Sequence, residues 1–128
     1  MDYQEFIPRK LSMVPPTGID GDIRIPDSLF DHQRALVKWA LRRGRAAIFA
    51  DTGLGKSRMQ LAWASEVLRH TGMPVLILAP LAVAAQTVGE GAEVGVDVRH
   101  VRDQSGVTGP AIYITNYDRL HLFDAGVF

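Results

Sequence analysis

Cysteine is absent from the 128 residues. That removes disulfides, thiolate metal sites and thiol nucleophiles together, and it fits a reducing compartment. Neither sign of charge is in excess: Lys plus Arg and Asp plus Glu number 14 each. No bulk positive field therefore draws the chain onto nucleic acid, and any such contact has to come from a local surface. The four histidines, His32, His70, His100 and His121, are scattered without metal-ligand spacing and read as surface or packing residues. The first residues, Met1-Asp-Tyr-Gln-Glu5, have neither the basic nor the apolar region of a leader. The longest apolar run, 75–85, is broken by Pro80 and falls well short of the ~20 residues that span a bilayer. We expect a cytoplasmic chain with no membrane partner. At 47% hydrophobic, a chain of this length can bury roughly two-thirds of its unfolded surface as one domain.

What is present is organised around residues 45–57, Arg-Ala-Ala-Ile-Phe-Ala-Asp-Thr-Gly-Leu-Gly-Lys-Ser. An apolar run, 46–50, precedes Asp51-Thr52-Gly53-Leu54-Gly55, and Lys56-Ser57-Arg58 opens a helix-forming segment. This order predicts strand, loop and helix. A triphosphate needs donors on several oxygens, and consecutive backbone N–H groups in a tight loop supply them without side-chain entropy. Gly53 and Gly55 permit the close approach of that backbone. Lys56 would set an ammonium against the outer phosphates and Ser57 would offer its hydroxyl to Mg2+. The spacing fits the Walker A pattern, with Ala50 where many such loops begin with glycine. Thr52, Gly53, Leu54, Gly55, Lys56, Ser57 and Arg58 are the expected nucleotide contacts, and Lys56 and Ser57 the residues closest to the chemistry.

In chain order, residues 1–27 are interrupted by Pro8, Pro15, Pro16, Gly18, Gly21 and Pro26, which predicts an irregular but ordered arm. Residues 28–44 predict a helix: Ser28 or Asp31 can cap it, Leu36, Val37, Ala40 and Leu41 form one apolar face, and Gly44 can end it. Gln33 lies near its start. Its amide carries a donor and an acceptor, as reading the N6 and N7 edge of adenine requires; the plainer reading is an exposed helical glutamine. Residues 56–69 predict a helix with Met59, Trp63 and Val67 on one stripe, ended by Gly72, with Trp39 and Trp63 as core residues. Residues 75–79 read as a strand buried on both faces. A helix over 81–87 should loosen where Gly89, Gly91 and Gly95 argue against a long extension. Strands are predicted over 96–101 and 111–115, with a turn-rich loop between. This alternation predicts a three-layer α/β fold around one sheet.

Gln33 in Phe30-Asp-His-Gln, Ala50 through Ser57, Leu78-Ala-Pro-Leu-Ala82 and Ile114-Thr-Asn-Tyr-Asp-Arg-Leu120 follow one another as do the Q-like motif, motif I, motif Ia and the next DNA-contact motif of superfamily 2 helicases. The chain resembles the DEAD/DEAH-type and chromatin-remodeller-type branch encoded by phages and prophages, from about residue 29 onward. The resemblance implies a partial RecA-like domain over 28–128 that binds ATP and Mg2+ at the carboxyl ends of its strands. It implies that Gln33 reads adenine, and that Pro80, Leu81, Thr115, Asn116 and Tyr117 line a face for the backbone of nucleic acid, DNA foremost. Hydroxyl, amide and main-chain donors suit phosphate oxygens and carry little sequence information; ordinary strand-end capping is the other use for Asn116 and Tyr117.

No Asp-Glu dipeptide follows Lys56, so the pair that such enzymes use to hold Mg2+ and orient water is missing, as are the arginines of a second RecA-like domain. The expectation is nucleotide binding without appreciable hydrolysis by these residues alone, hydrolysis and translocation belonging to a longer parent. Unpaired apolar strand edges would then favour self-association. Two other readings stand beside the motor: a non-catalytic nucleotide- or DNA-binding module, and a P-loop kinase, which accounts for the Walker loop but not for the Ala-Pro and Thr-Asn-Tyr segments.

Overall fold

The computed structural model describes residues 17–48 and 56–128. Its centre is a three-stranded parallel sheet of β1 (Val75–Ala79), β2 (Val98–His100) and β3 (Ile112–Asn116), in the spatial order β1-β3-β2. Val75 lies opposite Ile112 and Ala79 opposite Asn116, while Val98 pairs with Ile112 on the other side. Around it stand α1 (Asp31–Arg43), α2 (Lys56–Thr71) and α3 (Leu81–Glu93). The protein is thus mixed α/β, and among the described residues no helix is long and apolar enough to cross a membrane.

The two faces of the sheet are covered differently. Val75, Ile77, Ala79, Val98, Ile112 and Ile114 pack with Leu61 and Ala64 of α2 and Ala84 of α3. The opposite face presents Tyr113, with Ala111 and Val101, to Leu76, Val107, Phe123 and Phe128. Helices lie on the first face; turn segments, including the 3-10 turns Tyr117–Leu122 and Ala125–Val127, occupy the second. Tyr113 fixes that second layer: its hydroxyl donates to the Gly109 carbonyl at 2.6 Å and accepts from the N–H groups of Thr108 and Gly109, each at 3.2 Å.

Four local expectations need correction. The predicted first strand, 46–50, is not seen in its described part: Ala46, Ala47 and Ile48 are exposed and have no strand pairing, and residues 49–50 lie outside the described set. The predicted strand 96–101 shrinks to Val98–His100 because the Val96 N–H bonds to the Gly91 carbonyl of α3 at 2.8 Å instead of entering a ladder. The helix after β1 does not loosen at its glycines but continues to Glu93. A Cβ on Gly91 would stand 2.6 Å from the Val96 carbonyl oxygen, so this glycine permits close helix–strand contact and offsets its own poor helix propensity. Trp39 is not a core residue: it is 47% exposed, because Val37, Ala40 and Leu41 turn the buried stripe of α1 away from it.

Helix ends also differ from expectation. Neither Ser28 nor Asp31 caps α1; Phe30 holds the N-cap position without a side-chain cap. Gln33 supplies half of a capping box instead, its Oε1 accepting the Phe30 N–H at 3.0 Å. Gly44 ends α1 at φ 85° and Gly72 follows α2 at φ 63°, both as predicted. In α2, Met59, Ala62, Trp63 and Val67 face α1, while Leu61 and Ala64 form a second buried face against the sheet.

Residues 17–27 form a strap across the far ends of α1 and α2. The N–H groups of Thr17, Gly18 and Ile19 donate to the last carbonyls of α1, those of Arg43, Arg42 and Leu41. A Cβ on Gly18 would lie 1.9 Å from the Leu41 carbonyl oxygen, so only glycine fits there. Ile19, Ile23 and Ile25 pack against the α1–α2 cluster. Beyond them the Arg24 N–H donates to the Glu66 carboxylate at 2.9 Å, and Arg69 bridges Glu66 and the Asp22 carbonyl, both at 2.8 Å.

Candidate functional site

Three chain segments converge at the carboxyl ends of the parallel strands. Lys56, Ser57 and Arg58 form the first turn of α2; Pro80 joins β1 to Leu81, the first residue of α3; Asn116 ends β3 and Tyr117 follows it. This convergence follows from the parallel pairing of β1 and β3, which ends both strands on the same side. A cleft of about 700 Å³ runs between them, with Lys56, Ser57, Arg58, Pro80 and Tyr117 on its walls. A second cavity of about 550 Å³, lined partly by Val37, Ile48 and Trp63, shares Lys56, Gln60 and Tyr117 with it. Lys56 therefore stands where the two hollows meet. Thr52, Gly53, Leu54 and Gly55 lie outside the described residues.

The electrostatics of the α2 start are unusual. The first turn holds two cations, Lys56 and Arg58, and no acidic residue. A helix N-terminus already carries about half a positive charge and unsatisfied N–H donors. Two further cations there cost stability unless an anion lies against them. Lys56 and Arg58 are exposed and Ser57 half-buried, so all three can meet a ligand from solvent.

The remaining sequence-predicted residues differ in access. Tyr117 is 60% and Leu81 63% exposed, and Asn116 is half-buried at the N-cap of the Tyr117–Leu122 turn without a side-chain cap bond. Thr115 is fully buried, and among the described residues its Oγ1 has no hydrogen-bond partner. Gln33 is only 5% exposed, not an exposed helical glutamine, and its carboxamide is oriented by Phe30. Ser28 and Leu29, just ahead of α1, share a cavity of about 350 Å³ with Arg58, which sets the beginning of α1 beside the beginning of α2.

Sequence reasoning missed part of the cleft wall. Gln60 lies one turn after Lys56 on the same face of α2, a neighbour that helical spacing could have named. Gln86, Glu90 and Glu93 form the opposite wall, with Gln86 Nε2 donating to Glu90 at 3.2 Å. Glu90 and Glu93 were hidden because the helix carrying them was expected to loosen after 87. Also missed was the buried Glu66. Burial pushes its carboxyl up, but the Arg69 hydrogen bond, the Arg24 N–H and the charges of Arg69 and His70 outweigh that and hold it below the ordinary carboxylate value.

Comparison with family models, with curated proteins and with solved structures finds no match for this chain.

Proposed function

We propose that this chain is the ATP-binding portion of a nucleic-acid helicase or translocase, acting on DNA, with a three-layer RecA-like domain as its framework. One observation carries the reading: Lys56, Ser57 and Arg58 open α2 with two cations and no acidic residue in its first turn, on a cleft that also reaches Pro80 and Tyr117 and has Glu90 and Glu93 on its opposite wall. A polyphosphate would neutralise the Lys56 and Arg58 charges and accept hydrogen bonds from the first N–H groups of α2. Lys56 is the phosphate-binding ammonium of this reading. Mg2+ keeps most of its waters and takes few protein ligands, so the single Ser57 hydroxyl fits a metal that arrives on the nucleotide. The bound ion would spread charge from the β- and γ-phosphates. Gln33, buried in the first turn of α1 with its Oε1 on the Phe30 N–H, is the adenine reader of this proposal, and Ser28 and Leu29 just ahead of it share a cavity with Arg58.

On the nucleic-acid side, Tyr117 and Leu81 supply exposed surface and Pro80 shapes the path between them. Contacts of this kind hold a strand by its backbone and do not select sequence. The buried Thr115 would act through the shape of β3 and not by direct contact.

Calorimetric titration of Mg-ATP into the wild-type chain and Lys56→Ala tests the reading. Loss of a charge-assisted phosphate contact should weaken binding about ten- to a hundredfold. Equal affinities would remove the phosphate-binding role from Lys56 and with it the motor reading. Gln33→Ala should weaken ATP while leaving GTP nearly unchanged.

A further inference from the structure

We infer that Glu66 is a positioning residue for nucleotide selection, acting through the strap to hold α1, and so Gln33, in register with the start of α2. The inference rests on the adenine-reading role of Gln33 proposed above. Glu66 lies ten residues after Lys56 on α2, about 15 Å along the helix at 1.5 Å per residue. It therefore acts at a distance from any phosphate at Lys56.

The physical basis is a difference between two kinds of contact. Leu29, Val37 and Leu41 pack on Met59 and Ala62, but apolar burial is non-directional and tolerates small slides of one helix over another. Hydrogen bonds do not tolerate them. Among the described residues, hydrogen bonds join α1 to α2 through the strap, from the last carbonyls of α1 to residues 17–19, and from there through Arg24 to Glu66 and through the Asp22 carbonyl to Arg69. Arg42 strengthens its first part, donating to the carbonyls of Ile19 at 3.1 Å and Gly21 at 2.7 Å. Arg69 strengthens its second, holding both Glu66 oxygens and the Asp22 carbonyl.

Glu66 is 4% exposed and interrupts what would otherwise be a continuous apolar or small-residue face of α2. A buried carboxylate is costly to keep unless its bonds are made. Its side chain has one main-chain partner on the strap and a guanidinium that itself holds the strap, so its geometry is spent on the α1–strap–α2 connection. Freed at this end, α1 can pivot on its apolar face, and the displacement appears at Gln33.

The experiment uses Arg42→Ala, which removes the two side-chain bonds from α1 to the strap and so loosens it, and Glu66→Gln, which keeps the side-chain shape. Both are compared with wild type for Mg-ATP and Mg-GTP affinity and for amide hydrogen exchange along α1 and α2 without nucleotide. The expected result is faster exchange in α1 than in α2 and a fall of roughly three- to tenfold in ATP-over-GTP preference, the size of one lost hydrogen bond, with GTP affinity retained. Equal loss for both nucleotides marks a merely structural role and overturns the proposal. So does unchanged preference with unchanged α1 exchange in both variants, which refutes the strap connection itself. Wild-type protein that binds ATP and GTP equally overturns it through the adenine reading, and the exchange data then show separately whether the strap holds α1.

Discussion

Replacing Thr115 by valine should make the protein more stable, although the threonine lies in the central strand and is wholly buried. Thr115 and Tyr113 are two residues apart on β3 and so share one face of the sheet. Both are 0% exposed, yet their hydroxyls are in opposite circumstances. Tyr113 Oη makes three hydrogen bonds, whereas Thr115 Oγ1 makes none among the described residues. An unsatisfied buried hydroxyl carries an uncompensated desolvation cost of about 1–3 kcal/mol, while each satisfied bond contributes about 1 kcal/mol net. Valine has nearly the shape of threonine and nothing to desolvate. Thr115→Val should therefore gain about 1–2 kcal/mol, and Tyr113→Phe should lose about 2–4 kcal/mol because it also orphans the Thr108 and Gly109 groups. Urea unfolding followed by tryptophan fluorescence measures both, with an unchanged slope on denaturant required for a clean comparison. Destabilisation of Thr115→Val by about 1 kcal/mol or more would refute the reasoning, since it would mean that the hydroxyl has a partner.

Two further outcomes are expected. Gly91→Ala should destabilise by about 1–3 kcal/mol despite alanine's better helix propensity, because its Cβ meets the Val96 carbonyl at 2.6 Å and Val98 at 3.0 Å; a gain in urea midpoint would show that α3 and β2 can separate without cost. The Glu66 carboxyl has a folded-state pKa below its ordinary 4.5. Its contribution to stability is therefore fully present above that value and is lost as pH falls through the lower, folded one. Urea midpoints taken from neutral pH down through the carboxylate range should show a shallower acid decline in Glu66→Gln than in wild type, and identical declines would remove Glu66 from the acid response.

Much of the local structure was legible because it depends on short-range patterning. The run 75–79 became β1 without shift, and the glycines at 44 and 72 ended the helices they follow. The exposed Trp39 could also have been read, since the residues buried on α1 place it on the outer side. What sequence could not show is tertiary in origin. Gly91 reads as a helix breaker until Val96 is known to lie against it. Glu66 reads as a solvated helical charge until Arg24, distant in sequence, is seen to donate to it. For the candidate site, the cationic turn at 56–58, Pro80 and Tyr117, expected from motif order, line one cleft, whereas Leu81, Thr115 and Asn116 do not. The acidic wall was invisible because it depends on α3 continuing past its glycines, and the buried state of Thr115 depends on what covers the second face of the sheet.

The spatial order β1-β3-β2 also sets the order in which the molecule can be assembled. Neither β1 nor β2 pairs with the other; each has β3 as its neighbour in this sheet. As the chain is made from its amino end, the apolar segment Val75–Ala79 and the later Val98–His100 are both complete before the strand that joins them exists. The sheet closes only when residues 112–116 arrive, inserting between two strands already synthesised. Until then β1 is a short, uncharged apolar segment with unmet backbone groups, the kind of segment that associates with other chains. The hazard in this protein's synthesis is therefore one of timing: any pause that withholds residues 112–116 leaves both flanking strands waiting.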